Sequence, residues 1–234
     1  MRTASIKVIN RFSILFLIIF LLQINRLQAQ NISFGVFADP AVISWFSSDN
    51  KATKNDGARA GFNFGFTFNK YFTNNYAFST GINILSTGGT LINNSNDKLI
   101  MTFNNFSDTL MPGKPVIYKI QYLNVPIGLK FKSNQIGYIT FFSDIGIDPK
   151  VVIGSKADIP SDNIKGETAI NELRRFNLGY HIMAGIEYSL GGSTAVVLGL
   201  GFENNFLDVT KDINNQPADK ITQRILKVRI GVNF

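Results

Sequence analysis

His181 is the single histidine of this 234-residue chain, and imidazole is the side chain best suited to trade a proton near neutral pH. Used as a general base, it would need a hydroxyl nucleophile or a positioned water beside it. Ser143 and Ser189 are available hydroxyls, but neither sits in a G-x-S-x-G elbow. With one histidine and no cysteine, the chain cannot form a several-histidine metal site, a thiolate site, a disulfide framework or a lipidated N-terminal cysteine. Asp144, Asp148 and Asp158 could suggest calcium, yet no D-x-D-x-D-G loop with a distal glutamate surrounds them. Gly88-Gly89 and Gly191-Gly192 lack the strand-to-helix setting of a phosphate loop and read as turns. No catalytic residue, metal ligand or cofactor is therefore assigned, and His181 reads as an interior or interfacial side chain.

The chemistry that remains is electrostatic, and it depends on which face each charge occupies. Residues 58–69 alternate strictly: Phe62, Phe64, Phe66 and Phe68 fall on one face, and Arg59, Gly61, Asn63, Gly65, Thr67 and Asn69 on the other. Three later segments repeat the pattern. Phe176, Leu178, Tyr180, Ile182, Ala184, Ile186 and Tyr188 oppose Asn177, Gly179, His181, Met183, Gly185, Glu187 and Ser189. Val196, Leu198, Leu200 and Phe202 oppose Gly199, Gly201 and Glu203, while Leu226, Val228, Ile230, Val232 and Phe234 oppose Lys227, Arg229, Gly231 and Asn233. Large apolar residues on one side, with charge and glycine on the other, mark a barrel whose outer face meets lipid.

Eight strand-like segments follow one another, at about 31–43, 58–69, 75–86, 116–132, 136–148, 175–190, 194–206 and 221–234. Their connections alternate between long (44–57, 87–115, 149–174, 207–220) and short (70–74, 133–135, 191–193). That is the layout of an all-β, eight-stranded antiparallel up-and-down transmembrane β-barrel with short periplasmic turns and long external loops. Pro40 should bend or end the first strand, Lys119 and Gln121 should lie above the membrane, and 165–174 could form a short surface helix. Tyr71, Phe72, Tyr76, Phe131 and Tyr188 are expected in the periplasmic aromatic belt, and Trp45, Phe46 and Phe206 in the outer one.

Arg2, Lys7 and Arg11 precede the apolar run at 12–22, which is too short to span a bilayer, and Ala29 closes the segment. Residues 1–30 therefore read as a cleaved secretory signal, cut after Ala29 or Gln30, ahead of a barrel domain at 31–234. Removing four basic residues leaves 19 Lys and Arg against 16 Asp and Glu, so the net charge falls from +7 to +3. No basic cluster or stacking motif supports nucleic-acid binding.

The chain ends on Phe234 after the amphipathic run 225–233. The tract Tyr122-Leu-Asn-Val-Pro-Ile-Gly-Leu-Lys-Phe-Lys132 and the final Gly231-Val-Asn-Phe234, with the signal and eight strands, resemble the PorT-like outer-membrane β-barrel family of Bacteroidota. Asn124 stands where that family commonly has an acidic residue. The resemblance implies the barrel, the outer membrane of a Gram-negative bacterium, and a link to protein secretion or gliding. It also makes Phe234 a C-terminal signal read by the barrel-assembly machinery.

An eight-stranded barrel has a lumen that side chains can fill. The expected lumen network comprises Arg59, Lys130, Asp144, Glu187, Glu203, Lys227 and Arg229, with Lys132, Arg175 and Asp148 on the same faces. Glu187 or Glu203 should lie beside Lys227 or Arg229. A salt-bridged plug is favoured, in a non-enzymatic scaffold whose partners are outer-membrane lipid and, at loops 87–115 and 149–174, another protein. Leu99, Ile100, Met101, Phe103 and Phe106 in the first of these loops could extend a strand or dock on that partner. The alternatives are a narrow solute channel, a barrel-embedded lipid-modifying enzyme using His181, and a soluble lipocalin-like cup. The sequence does not set the oligomeric state.

Overall fold

The computed structural model describes residues 32–49, 53–93, 99–103, 106–110, 113–211 and 220–234. The expected signal segment lies outside them. Thirteen strands occur among the described residues: β1 (Ile32–Ser48), β2 (Thr53–Gly57), β3 (Arg59–Tyr71), β4 (Tyr76–Asn93), β5 (Leu99–Phe103), β6 (Phe106–Leu110), β7 (Pro115–Asn124), β8 (Ile127–Lys132), β9 (Ile139–Ile159), β10 (Ile164–Thr168), β11 (Phe176–Gly191), β12 (Thr194–Asn205) and β13 (Ile221–Asn233).

β1, β3, β4, β9, β11, β12 and β13 form the wall together with β7 and β8, which act as one strand. β7 and β8 both bridge β4 to β9, and β1 lies between β13 and β3, so the sheet closes as a ring of eight. Proline explains the break between β7 and β8, because Pro126 has no N–H to donate. The gap is bridged by the Val125 N–H donating to the Pro149 carbonyl at 3.1 Å and the Thr80 hydroxyl donating to the Pro126 carbonyl at 2.9 Å. The seam between the first and last strands is zipped to the final residue. Phe234 N–H donates to Phe34 O at 2.7 Å, and Phe34 N–H to Phe234 O at 3.2 Å.

The polarity of the wall inverts part-way along its strands. Toward the short turns the outward face is apolar, with Phe62, Phe64, Phe66, Phe68, Ile145, Ile182, Leu198 and Ile230 exposed, while Asn63, Lys130, Glu187 and Lys227 are buried inside. Toward the long connections the inside becomes apolar: Val42, Phe46, Leu85, Tyr118, Ile120, Tyr122, Val152 and Ile225 form one buried cluster. The change falls between Asn83 and Leu85 on β4, between Asn124 and Tyr122 across β7, between Lys150 and Val152 on β9, and between Lys227 and Ile225 on β13. Lipid against the lower wall favours apolar residues outside, whereas water around the upper wall drives them inward. The exposed phenylalanine stripe also removes the lipocalin-like alternative, which needs those rings inside the cup.

Several elements differ from the sequence expectation. β1 runs through Pro40 to Ser48, absorbing the proline in a register shift between Ala38 and Ala41. The connections at 44–57, 87–115 and 149–174 are largely strand among the described residues, since β1 reaches Ser48, β4 reaches Asn93 and β9 reaches Ile159. The expected helix at 165–174 is absent; β10 pairs with β9 there, after a short 3-10 turn at Pro160–Asp162. β5 and β6 pair with each other as a separate two-stranded sheet. Phe46 points into the upper core instead of the outer belt. Tyr71 faces the lumen mouth, where the Lys132 ammonium lies 5.3 Å from its ring. Phe72, Tyr76 and Phe131 do form a chain of ring contacts at the short-turn end, spaced 6.3 and 5.7 Å.

Candidate functional site

The lower lumen holds a set of ion pairs, each anchored on facing strands. On β11, Glu187 receives Lys130 and Lys132 of β8 at 2.6 Å each, together with the Asn233 amide at 2.9 Å. On β12, Glu203 receives Lys227 of β13 at 3.0 Å and pairs with Lys150 of β9. Arg229 forks onto Asp39 of β1, at 2.9 Å from Nε and 3.1 Å from a terminal nitrogen. Asn63 donates to the same carboxylate at 2.7 Å.

Aromatic rings complete the cation environments. Lys130 lies 4.7 Å from the Phe142 ring centre, Lys150 lies 5.5 Å from that of Tyr122, and the Arg229 guanidinium stacks 3.6 Å from Phe37. A carboxylate on one side and a ring face on the other replace much of the water each buried cation gives up.

His181 sits between two carboxylates, Asp148 at 2.8 Å from Nδ1 and Asp144 at 3.4 Å from Nε2. Asn124 donates to Asp148 at 3.2 Å, and Ser79 donates to Asp144 at 3.0 Å. The hydroxyl therefore engages the carboxylate rather than the imidazole. A nucleophile–base–orienter relay needs the reverse order, with the hydroxyl on the ring nitrogen. Neither Ser143 nor Ser189 hydrogen-bonds to the histidine among the described residues.

Of the sequence-derived network, Lys130, Asp144, Glu187, Glu203, Lys227 and Arg229 share the lumen, and Lys132 and Asp148 join them. Arg59 does not. Its stem lies where a Cβ on Gly88 would be, with Cδ 2.7 Å from that position, and its charge acts on Asp158 on the upper wall. Arg175 is likewise exposed at the loop end. The expected pairing of Glu203 with Lys227 occurs, but Glu187 takes the lysines of β8 and Arg229 takes Asp39. Sequence reasoning missed Asp39 and Lys150, although Lys150 continues the alternation of Asp144 and Asp148 beyond Pro149.

Interior glycines make this filling possible. A Cβ on Gly185 would stand 2.8 Å from the Phe142 ring, and one on Gly146 would stand 2.8 Å from His181 Cε1. Among the described residues, one cavity of about 20 Å³ lies beside Asp144, Asp148 and His181, and another of about 20 Å³ beside Lys130 and Phe142. Each has room for about one water.

A family model for the outer membrane protein beta-barrel domain matches residues 28–230. Among solved structures, Neisserial surface protein A is 13% identical, with 86% of this chain and 95% of that chain covered and a TM-score of 0.44. OprG from Pseudomonas aeruginosa is 13% identical, with 87% and 94% covered and a TM-score of 0.44. The outer membrane protease OmpT from Escherichia coli is 9% identical, with 88% and 96% covered and a TM-score of 0.42. No curated protein matches the chain. The closed ring, the lipid-facing band and a match over nearly the whole barrel lead to one conclusion: the chain belongs to the outer membrane protein beta-barrel domain family.

Proposed function

We propose that this barrel is a closed, non-enzymatic scaffold that holds a rigid platform outside the cell for a protein partner. The observation that carries this reading is the filling of the interior among the described residues. Ion pairs occupy the lower lumen, and an apolar core seals the upper one. Filling of this kind opposes the passage of solutes among the described residues. The connections at 87–115 and 149–174 supply the partner surface, and the resemblance to PorT-like barrels favours a partner from protein secretion or gliding. Phe234 ends the seam with its ring exposed, a placement that suits recognition by the barrel-assembly machinery before the seam closes.

The test pairs two measurements on the folded protein. A planar bilayer should stay electrically silent across salt and voltage. A photo-crosslinking residue at Ser107 in β6 should give a discrete adduct in intact cells, one that the same residue placed at Ser193 in a short turn does not give. Stepwise conductance, or the absence of any adduct, would overturn the scaffold reading.

A further inference from the structure

The upper wall carries an unbalanced basic cluster on its outer side. Lys119 of β7 and Lys156 of β9 are direct cross-strand partners, so their like charges are held side by side, an unfavourable arrangement unless an anion lies between them. The nearby carboxylate is already committed. Asp158 pairs with Lys119 and accepts the Gly166 N–H at 2.8 Å. Arg59 reaches the same place, its Cδ over Gly88, which is the cross-strand partner of Lys119 on β4. Lys156 is exposed and has no ion-pair partner among the described residues. Three cations from three strands thus share one carboxylate.

The height of the cluster is equally specific. The last wholly apolar outward row across β4, β7 and β9 is Ile84, Leu123 and Val151, with the bulged Ile153 exposed just above it. The next is Ser86, Gln121 and Gly154, and the one after that holds Gly88, Lys119 and Lys156. Four residues of tilted strand separate Leu123 from Lys119, a rise of about 10 Å above the hydrocarbon-facing surface. Lysine and arginine stems can reach back several ångströms toward the membrane, which brings their charges to headgroup level. Ser86, Gly88 and Gly154 give the wall a low floor between the cations, and Gln121 adds an exposed amide.

We propose that this patch is a lipid site, where Arg59, Lys119 and Lys156 bind the phosphate of a phosphorylated glycolipid headgroup in the outer leaflet. Its acyl chains would lie along the apolar band directly below. An anion seated there relieves the Lys119–Lys156 repulsion and neutralises a charge excess that the protein leaves open. Charge-assisted bonds to phosphate are among the stronger polar contacts.

The test uses the full-length protein folded in phosphatidylcholine nanodiscs doped with diphosphorylated lipid A, followed by native mass spectrometry. Wild-type protein should retain lipid A, but not its dephosphorylated form. K156Q should retain about fivefold less and the double variant K119Q/K156Q less still, while R224Q, removing an outward cation on the opposite wall, should retain as much as wild type. Heat-shifted mobility on a gel verifies folding independently, and K156Q removes only an exposed, unpaired side chain. Equal retention by K156Q would overturn the site. Equal loss in R224Q would show that net charge alone is at work. Displacement by millimolar inorganic phosphate, with the same sensitivity to the variants, would assign the site to free phosphate and overturn the lipid.

Discussion

Arg229 and Asp39 meet across the barrel seam, on the last wall strand and the first, through two parallel hydrogen bonds of 2.9 and 3.1 Å. The Asp39 side chain is fully buried. The pair fastens β13 to β1 inside the lumen, as the Phe34–Phe234 backbone bonds fasten it at the rim. Removing Asp39 leaves the Arg229 guanidinium, whose side chain is only 14% exposed, without its carboxylate, so Asp39→Ala should cost about 3 kcal/mol of stability. Urea unfolding in lipid vesicles, followed by tryptophan fluorescence, measures the loss; a cost below about 1 kcal/mol would mean that water reaches Arg229 freely.

His181 should prove structural. His181→Ala removes the group between Asp144 and Asp148 and should destabilise the barrel by about 3 kcal/mol, leaving the lipid composition of the outer membrane unchanged. Mass spectrometry of extracted lipids decides the second part: a shift that tracks the mutation would restore the lipid-modifying alternative.

The Lys119–Asp158 pair gives a pH signature outside the membrane. Partial burial raises the Asp158 carboxyl, but bonding to Lys119 and to the Gly166 N–H, with the charge of Arg59, holds it below its ordinary value of 3.8. The folded value lies under the unfolded one, so the contribution is complete above about pH 3.8 and fades as pH drops through the folded value. Melting of wild type and Asp158→Asn, compared from pH 8 to pH 3, should show a constant small gap that closes only at the acid end. The gap is small because Lys119 is solvent-exposed. A gap that widened toward acid would contradict this assignment.

Phe234→Ala should separate folding from delivery. The backbone bonds to Phe34 remain, so purified protein should refold in detergent with nearly normal heat-shifted mobility. Its abundance in the outer-membrane fraction of cells should fall severalfold if the exposed ring is read during assembly. Equal abundance would leave Phe234 with the role of an interface aromatic.

The wall was largely legible from alternation alone. The faces of β11, β12 and β13, and of β3 from Phe62 to Phe68, follow the period-2 pattern residue by residue, because lipid outside and a narrow lumen inside penalise any slip. Prolines hid two charges. Asp39 precedes Pro40 and Lys150 follows Pro149, and in both cases the strand continues past a residue that ordinarily ends one. The upper dome was less legible, since its alternation changes sign: Val116, Tyr118, Ile120 and Tyr122 face inward while Lys119 and Gln121 face out. That reversal was visible as a break in the rule. Arg59 was misplaced for the same reason, being read with the lower face of its strand although it lies with the upper wall.

The inversion of polarity also imposes an order in time. The upper strands close around an apolar core only when water surrounds them, so that core gains nothing until its segments have crossed to the far side of the bilayer. The lipid-facing band is rewarded as soon as it meets hydrocarbon. Trp45 and Phe46 are adjacent in the chain, yet one looks outward near the boundary and the other inward to the core. They should therefore reach their final surroundings in succession, the membrane-facing belt first and the sealed dome last, so that assembly proceeds through an open-topped cup whose lid is the final part to fold.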